Sequence, residues 1–180
     1  TIRNVNVNES RIGLIKILKM MNCKITFKNK RIYKGEKTAD IFVKSSKILK
    51  PINCPSSLNS SAIDEFLLIF LIAGAKTKGI STFKALGELN KKESPRLDIA
   101  IKFLRMIGIK VVRNIDDIKI YGKPKIDLKR NYHIKNFFKD HRIFMMSCIA
   151  ALTLGGNWKI NDKDSINTSF PKFLNILKNL

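Results

Sequence analysis

The sequence predicts an α/β protein built from repeated βαβαββ units, and three observations carry that prediction. Apolar runs with helical spacing alternate with short segments of period-two pattern, and these strands come singly and in pairs. Helix boundaries carry local markers: Ser94-Pro95 opens one helix that Gly108 ends, and Asp140 opens another that stops at Gly155-Gly156. No low-complexity linker interrupts the chain, so residues 1–180 read as a single domain, without a repeat period visible in the letters themselves.

Taken in order, residues 1–7 alternate as a strand, and residues 12–21 place Leu14, Ile17, Leu18 and Met21 on one helical face. Residues 24–34 and 39–44 are alternating segments separated by Gly35, and residues 50–54 form a short extended piece before Pro55. Ser60 and Ser61 offer a cap for an apolar helix over residues 63–75, after which residues 79–85 return as a strand. The helix opened by Ser94-Pro95 turns Leu97, Ala100, Ile101, Leu104 and Ile107 inward, and two strands joined near Asp116-Asp117 follow it. Residues 142–154 form a largely apolar helix, residues 158–161 a strand, and residues 171–180 a last helix. Ser169 caps that helix, Pro171 opens it, and Phe170, Phe173 and Leu174 are assigned to the core.

Composition excludes several classes of protein. At 180 residues with 44% hydrophobic content the chain can bury a sizeable core and is not a disordered segment. A net charge of +21 would ordinarily point to an anionic partner, but it comes from 27 lysines against 8 arginines, dispersed over the whole length. That dispersal reads as solvated surface, with no nucleic-acid partner. The three cysteines, Cys23, Cys54 and Cys148, have neither paired nor metal-like spacing and fit free thiols in the cytoplasm. The two longest apolar runs fall short of the roughly 20 residues that span a bilayer, so no membrane partner is expected. Because the first residue is Thr1 and residues 1–7 read directly as strand, the record is expected to start inside a longer protein.

Four short clusters hold most of the available chemistry: Ile63-Asp64-Glu65, Lys92-Glu93-Ser94-Pro95-Arg96, Asp140-His141-Arg142 and Thr168-Ser169-Phe170-Pro171. Each lies at a helix start, where free backbone N–H groups and the positive end of the helix dipole suit a phosphorylated ligand. In order and approximate spacing they resemble the enolpyruvyl transferase family, and within it the 5-enolpyruvylshikimate-3-phosphate synthases, whose motifs read Ile-Asp-Glu, Lys-Glu-Ser-Asp-Arg-Leu, Asp-His-Arg and Thr-Ser-Phe-Pro. Residues 8–14, Asn-Glu-Ser-Arg-Ile-Gly-Leu, look like the family's Asn-Pro-Thr-Arg-Thr-Gly-Leu, and the resemblance covers essentially the whole chain.

The resemblance implies two similar domains of βαβαββ units, an inside-out α/β barrel, with substrates in the cleft between them. This chain would supply most of one domain, an incomplete one, and the N-terminal part of the same enzyme would supply the rest, the full-length protein being a monomer. It also implies the reaction. The 5-hydroxyl of shikimate 3-phosphate adds to C2 of phosphoenolpyruvate, C3 gains a proton, and phosphate leaves the tetrahedral intermediate, with no cofactor and no metal. The matching residues are Asp64, taking the hydroxyl proton and contacting substrate, and Glu93, moving a proton at the methylene carbon. Lys92, Arg96 and Arg142 match the groups that bind the anionic substrates, and His141 supports the site by hydrogen bonding. Glu65 and Glu88 are weaker candidates, since helix starts attract acids for unrelated reasons.

Three positions depart from the pattern: Pro95 where the family usually has aspartate, Asn90 where an arginine is common, and Leu67 where proline is frequent. Thr168 stands where one branch has a lysine that contacts phosphoenolpyruvate, so that lysine is not carried over. The rival enzyme is the UDP-N-acetylglucosamine enolpyruvyl transferase. The rival from another class is a Lys-rich nucleic-acid-binding module, which would need a basic stripe on one face.

Overall fold

A computed structural model describes residues 1–46 and 49–179 of the chain. Strand β1 (Ile2–Asn6) leads through a single 3-10 turn to α1 (Gly13–Met20), then to the hairpin β2 (Lys24–Tyr33) and β3 (Glu36–Lys44). Lys34 and Gly35 join the hairpin with φ of 50° and 82°. Two successive left-handed residues form a turn whose twist matches that of the flanking strands, which accounts for glycine here. A short helix α2 (Asn59–Ala62), a turn at residues 63–65 and α3 (Phe66–Lys76) follow, then β4 (Gly79–Phe83), α4 (Arg96–Met106), β5 (Val111–Asn114) and β6 (Asp117–Gly122). The chain continues through β7 (Leu128–Ile134), α5 (His141–Leu154), β8 (Gly155–Ile160) and α6 (Phe173–Lys178).

Sheet topology reveals the repeat that the letters hide. The first sheet has the order β1-β3-β2 and the second β4-β6-β5, all antiparallel, each being a strand, a helix and a hairpin whose later strand sits in the middle. Residues 49–53 run parallel beside β4, through bridges Leu49 to Thr77 and Asn53 to Thr82, and connect to it through α2 and α3. In the same way β7 runs parallel to β8 and connects to it through α5. Residues 49–122 therefore make one complete βαβαββ unit, preceded by the second half of one and followed by the first half of another. In the complete unit β4 carries β6 on its far side, whereas β8 pairs with β7 alone among the described residues.

The core lies where α3, α4 and α5 meet the sheets. Helix α3 is apolar on every side because almost every side is covered, with Phe66, Phe70 and Phe83 packed at ring separations of 5.0 to 6.1 Å. The four residues of α4 expected inward, and Ile107 at its C-cap, are all buried. Among the described residues no single helix is long and apolar enough to cross a membrane, and Ser56–Ala62 with α3, which would pass together by length and composition, are bent by 118° at their break. Exposed lysines occur on strands of all three sheets, as at Lys28, Lys119 and Lys129, and on α1, α4 and α6 at Lys19, Lys102 and Lys178, so they are not confined to one element. Burial pushes the Cys54 and Cys148 thiols up to about 11, which favours the protonated thiol at neutral pH.

Several boundaries differ from expectation, each for a local reason. The apolar helix begins at Phe66 rather than residue 63, because residues 63–65 form the turn after α2; Ser61 Oγ donates to the Leu58 carbonyl and caps nothing. Strand β7 was not foreseen, because a register shift between Leu128 and Asn131 breaks its period of two. Strand β8 starts at Gly155, directly after α5. Gly155 and Gly156 have φ of 77° and 82°, and a Cβ on Gly155 would lie 2.9 Å from the Leu128 carbonyl oxygen, so only glycine allows this abrupt change. Helix α6 begins at Phe173 with Lys172 as N-cap and no side-chain cap, Phe170 is exposed against the Phe173 ring, and the expected end at Leu180 lies outside the described residues.

Candidate active site

Helices α3, α4 and α5 start at one place, and the charged side chains at their starts are bonded to one another. Asp64 and Glu65 lie in the turn that opens α3, Glu93 and Arg96 at the start of α4, and Asp140, His141 and Arg142 at the start of α5. Arg96 is the hub. Its Nε donates to Asp140 Oδ2 at 2.8 Å, Nη1 to Asp64 Oδ1 at 3.1 Å, and Nη2 to Glu93 Oε2 at 2.5 Å. Arg142 reaches the same turn, with Nη1 donating to the Asp64 carbonyl at 3.2 Å and Nη2 lying 3.5 Å from Asp64 Oδ2, while Nη1 also lies 3.5 Å from Glu65 Oε1.

Exposure separates the members of this cluster into two kinds. The Arg96 side chain is 2% exposed and that of Asp140 0%, whereas Asp64, Glu93 and Arg142 are 42%, 58% and 30% exposed. The resemblance assigned Arg96 to holding the substrates' anionic groups; in the structure its guanidinium is buried and shared among three carboxylates. Asp140 also accepts from Ser94 Oγ at 2.7 Å and from the Arg142 backbone N–H at 2.9 Å, so one buried carboxylate caps α5 and ties it to α4. Ser94 and Asp140 are the members that motif reading missed as parts of the cluster, because they act 46 residues apart and Asp140 alone signals only a helix cap.

Burial by itself would raise the Asp140 pKa, but hydrogen bonds from Arg96 and Ser94 and the charge of Arg96 outweigh it and hold the carboxyl below its ordinary value. A carboxylate depressed in the fold contributes stability that is present above its unfolded value, about 3.9, and lost as pH falls through the folded one. Unfolding free energy measured by urea titration should therefore fall below about pH 4, with a shallower fall in Asp140→Asn; equal slopes would rule out the linkage. Glu65 is pushed the other way, upward, by burial that outweighs its attraction to Arg142.

The profile of the family described as EPSP synthase (3-phosphoshikimate 1-carboxyvinyltransferase) matches residues 1–177. The chain belongs to the EPSP synthase family. Among curated relatives, the 3-phosphoshikimate 1-carboxyvinyltransferase of Ruthia magnifica is 39% identical over 98% of this chain and that of Thermodesulfovibrio yellowstonii 35% identical over 99%. The chain spans about 40% of the length of those relatives. Among solved structures, an EPSP synthase from Acinetobacter baumannii superimposes with a TM-score of 0.89 at 36% identity, over 97% of this chain and 40% of that one. The enolpyruvyl transferase NikO from Streptomyces tendae shares the fold, with a TM-score of 0.59 at 13% identity.

Two further residues of the EPSP synthase motifs adjoin members of this cluster. Lys92 is exposed beside Glu93, and His141 is half-buried beside Asp140. Glu88 pairs with Lys91 at 2.8 Å on the surface and touches none of the clustered groups. Leu67 is buried in the first turn of α3, where it serves the core. Thr168 lies exposed in the turn before α6. A cavity of about 480 Å³ between α5, β8 and α6, lined by Cys148, Trp158 and Leu174, is separate from the cluster. Among the described residues no group of His, Cys, Asp and Glu side chains is placed to hold a metal ion.

Proposed function

We propose that this chain forms one wall of an enzyme that transfers the enolpyruvyl group of phosphoenolpyruvate to the 5-hydroxyl of shikimate 3-phosphate and releases phosphate. The observation that carries this reading is the direct bridging of Asp64 and Glu93 by one buried guanidinium, at three convergent helix starts, in a chain of the EPSP synthase family. Asp64 takes the proton of the attacking hydroxyl as its oxygen bonds to C2. Glu93 delivers a proton to C3 and removes one when the double bond reforms and the C2–phosphate bond breaks. Arg142 and exposed Lys92, with the positive ends of the helices, hold the substrates' anionic groups, and His141 supports them. Arg96 holds the two carboxylates in register, and reaches substrate by exchanging one of them for a substrate anion.

The balance of charge argues that this wall needs a partner. Lys92, Arg96 and Arg142 are outnumbered by Asp64, Glu65, Glu93 and Asp140, so the cluster by itself is a poor trap for two multiply charged anions. The remaining length of the enzyme supplies the missing cations and the facing surface that excludes water, and we place the whole protein in the cytoplasm, as a monomer. Phosphate release, followed with both substrates present, should be at background for the 180-residue chain and well above it for the full-length protein. A full-length protein without turnover would sink the functional reading. Turnover by the short chain would sink the requirement for the facing wall.

A further inference from the structure

The start of α4 is capped from a distance. The residue at its N-cap, Pro95, has φ of −70° and ψ of 72° and no side-chain acceptor, and the Arg96 N–H closes a tight turn on the Ser94 carbonyl at 2.7 Å. An N-cap side chain ordinarily accepts from the second or third helical N–H, here Leu97 and Asp98. Those two amides donate instead to Asn90 Oδ1, at 3.0 and 3.3 Å, and Asn90 Nδ2 donates to Asp98 Oδ1 at 3.0 Å. Asn90 belongs to the single helical turn Gly87–Lys91, so its side chain closes the segment 91–96 into a loop. That loop carries Lys92, Glu93, Ser94 and Arg96.

We propose that Asn90 is a positioning residue: by capping α4 in place of residue 95, it fixes the loop that presents Lys92 and Glu93, and Asn90 and Pro95 work as a compensating pair. The proposal rests on the functional reading above. Pro95 leaves the start of α4 without a side-chain acceptor, and Asn90 Oδ1 supplies it from the preceding turn.

A double-mutant cycle in the full-length protein tests it, with both substrates saturating. Asn90→Ala should shift the opening equilibrium of the α4 start by roughly 3- to 30-fold, the factor that the loss of a helix N-cap is worth, and should lower kcat by at least about threefold. Pro95→Asp alone should stay within about twofold of the parent, since its carboxylate duplicates a cap already made, and Asn90→Ala/Pro95→Asp should return to within about threefold. Amide exchange at Leu97 and Asp98 should quicken in Asn90→Ala and slow again in the double variant. A cap that serves stability alone would lower the melting midpoint of Asn90→Ala and leave kcat unchanged; that result overturns the proposal, as does a double variant no faster than Asn90→Ala. A parent without turnover removes the functional reading instead, and unchanged amide exchange in Asn90→Ala would then still refute the cap.

Discussion

Asp140→Ala is expected to destabilise the chain by about 3–5 kcal/mol, the cost of leaving a buried charge without its partner. Against a typical stability of about 5–15 kcal/mol this is enough to bring a domain to the edge of unfolding at room temperature. The substitution takes from the Arg96 guanidinium, which is 2% exposed, its one fully buried partner, and removes the acceptors of Ser94 Oγ and the Arg142 backbone N–H. Asp64 and Glu93 cannot fully replace it, because their side chains are 42% and 58% exposed and such pairs are weakened by solvent. Urea unfolding should show a lower midpoint with an unchanged slope, the mark of lost stability rather than of altered compactness. Pairing Asp140→Leu with Arg96→Met should recover much of the loss, because removing both charges leaves neither uncompensated. A loss below about 1 kcal/mol in Asp140→Ala would mean that the cluster is solvated and that Arg96 is no hub.

Glu93→Gln in the full-length protein should lower kcat by about 100- to 10,000-fold, the range over which general acid–base groups act. The argument for a clean effect is geometric. One Glu93 oxygen accepts from Arg96 Nη2 at 2.5 Å, and a glutamine carbonyl can accept the same bond, so the loop keeps its shape while the ability to exchange a proton is lost. The Michaelis constants should move little by comparison, since the groups assigned to hold the anions, Lys92 and Arg142, are untouched. Rates within about threefold of the parent would show that Glu93 carries no proton transfer and only balances the charge of Arg96.

These two residues mark the division between what could be read in the letters and what could not. Helix starts and inward faces are local facts: a cap acts within one turn, and the spacing of Leu97, Ala100, Ile101, Leu104 and Ile107 is set by 3.6 residues per turn. Both were legible, as was the grouping of Asp64, Glu93 and Arg142 by motif. Strand β7 was not, because its register shift removes the only periodic signal a strand offers. Phe170 was assigned to the core by hydrophobicity, yet it is exposed, since nothing in a residue's own chemistry says whether another element covers it.

The sequence by itself determined the order of the elements, the apolar faces that drive α3, α4 and α5 together, and the charged residues at their starts. Tertiary structure alone decided what those charges do. Arg96 bonds partners 32 and 44 residues away and Arg142 bonds one 78 residues away, so their pairing depends on how three helix starts pack. Packing also assigned Asp140 a second task beyond its cap and buried the Arg96 guanidinium among three carboxylates. The physical reason is one of range: propensity and capping act over a few residues, whereas burial and ion pairing follow from the position of every element at once.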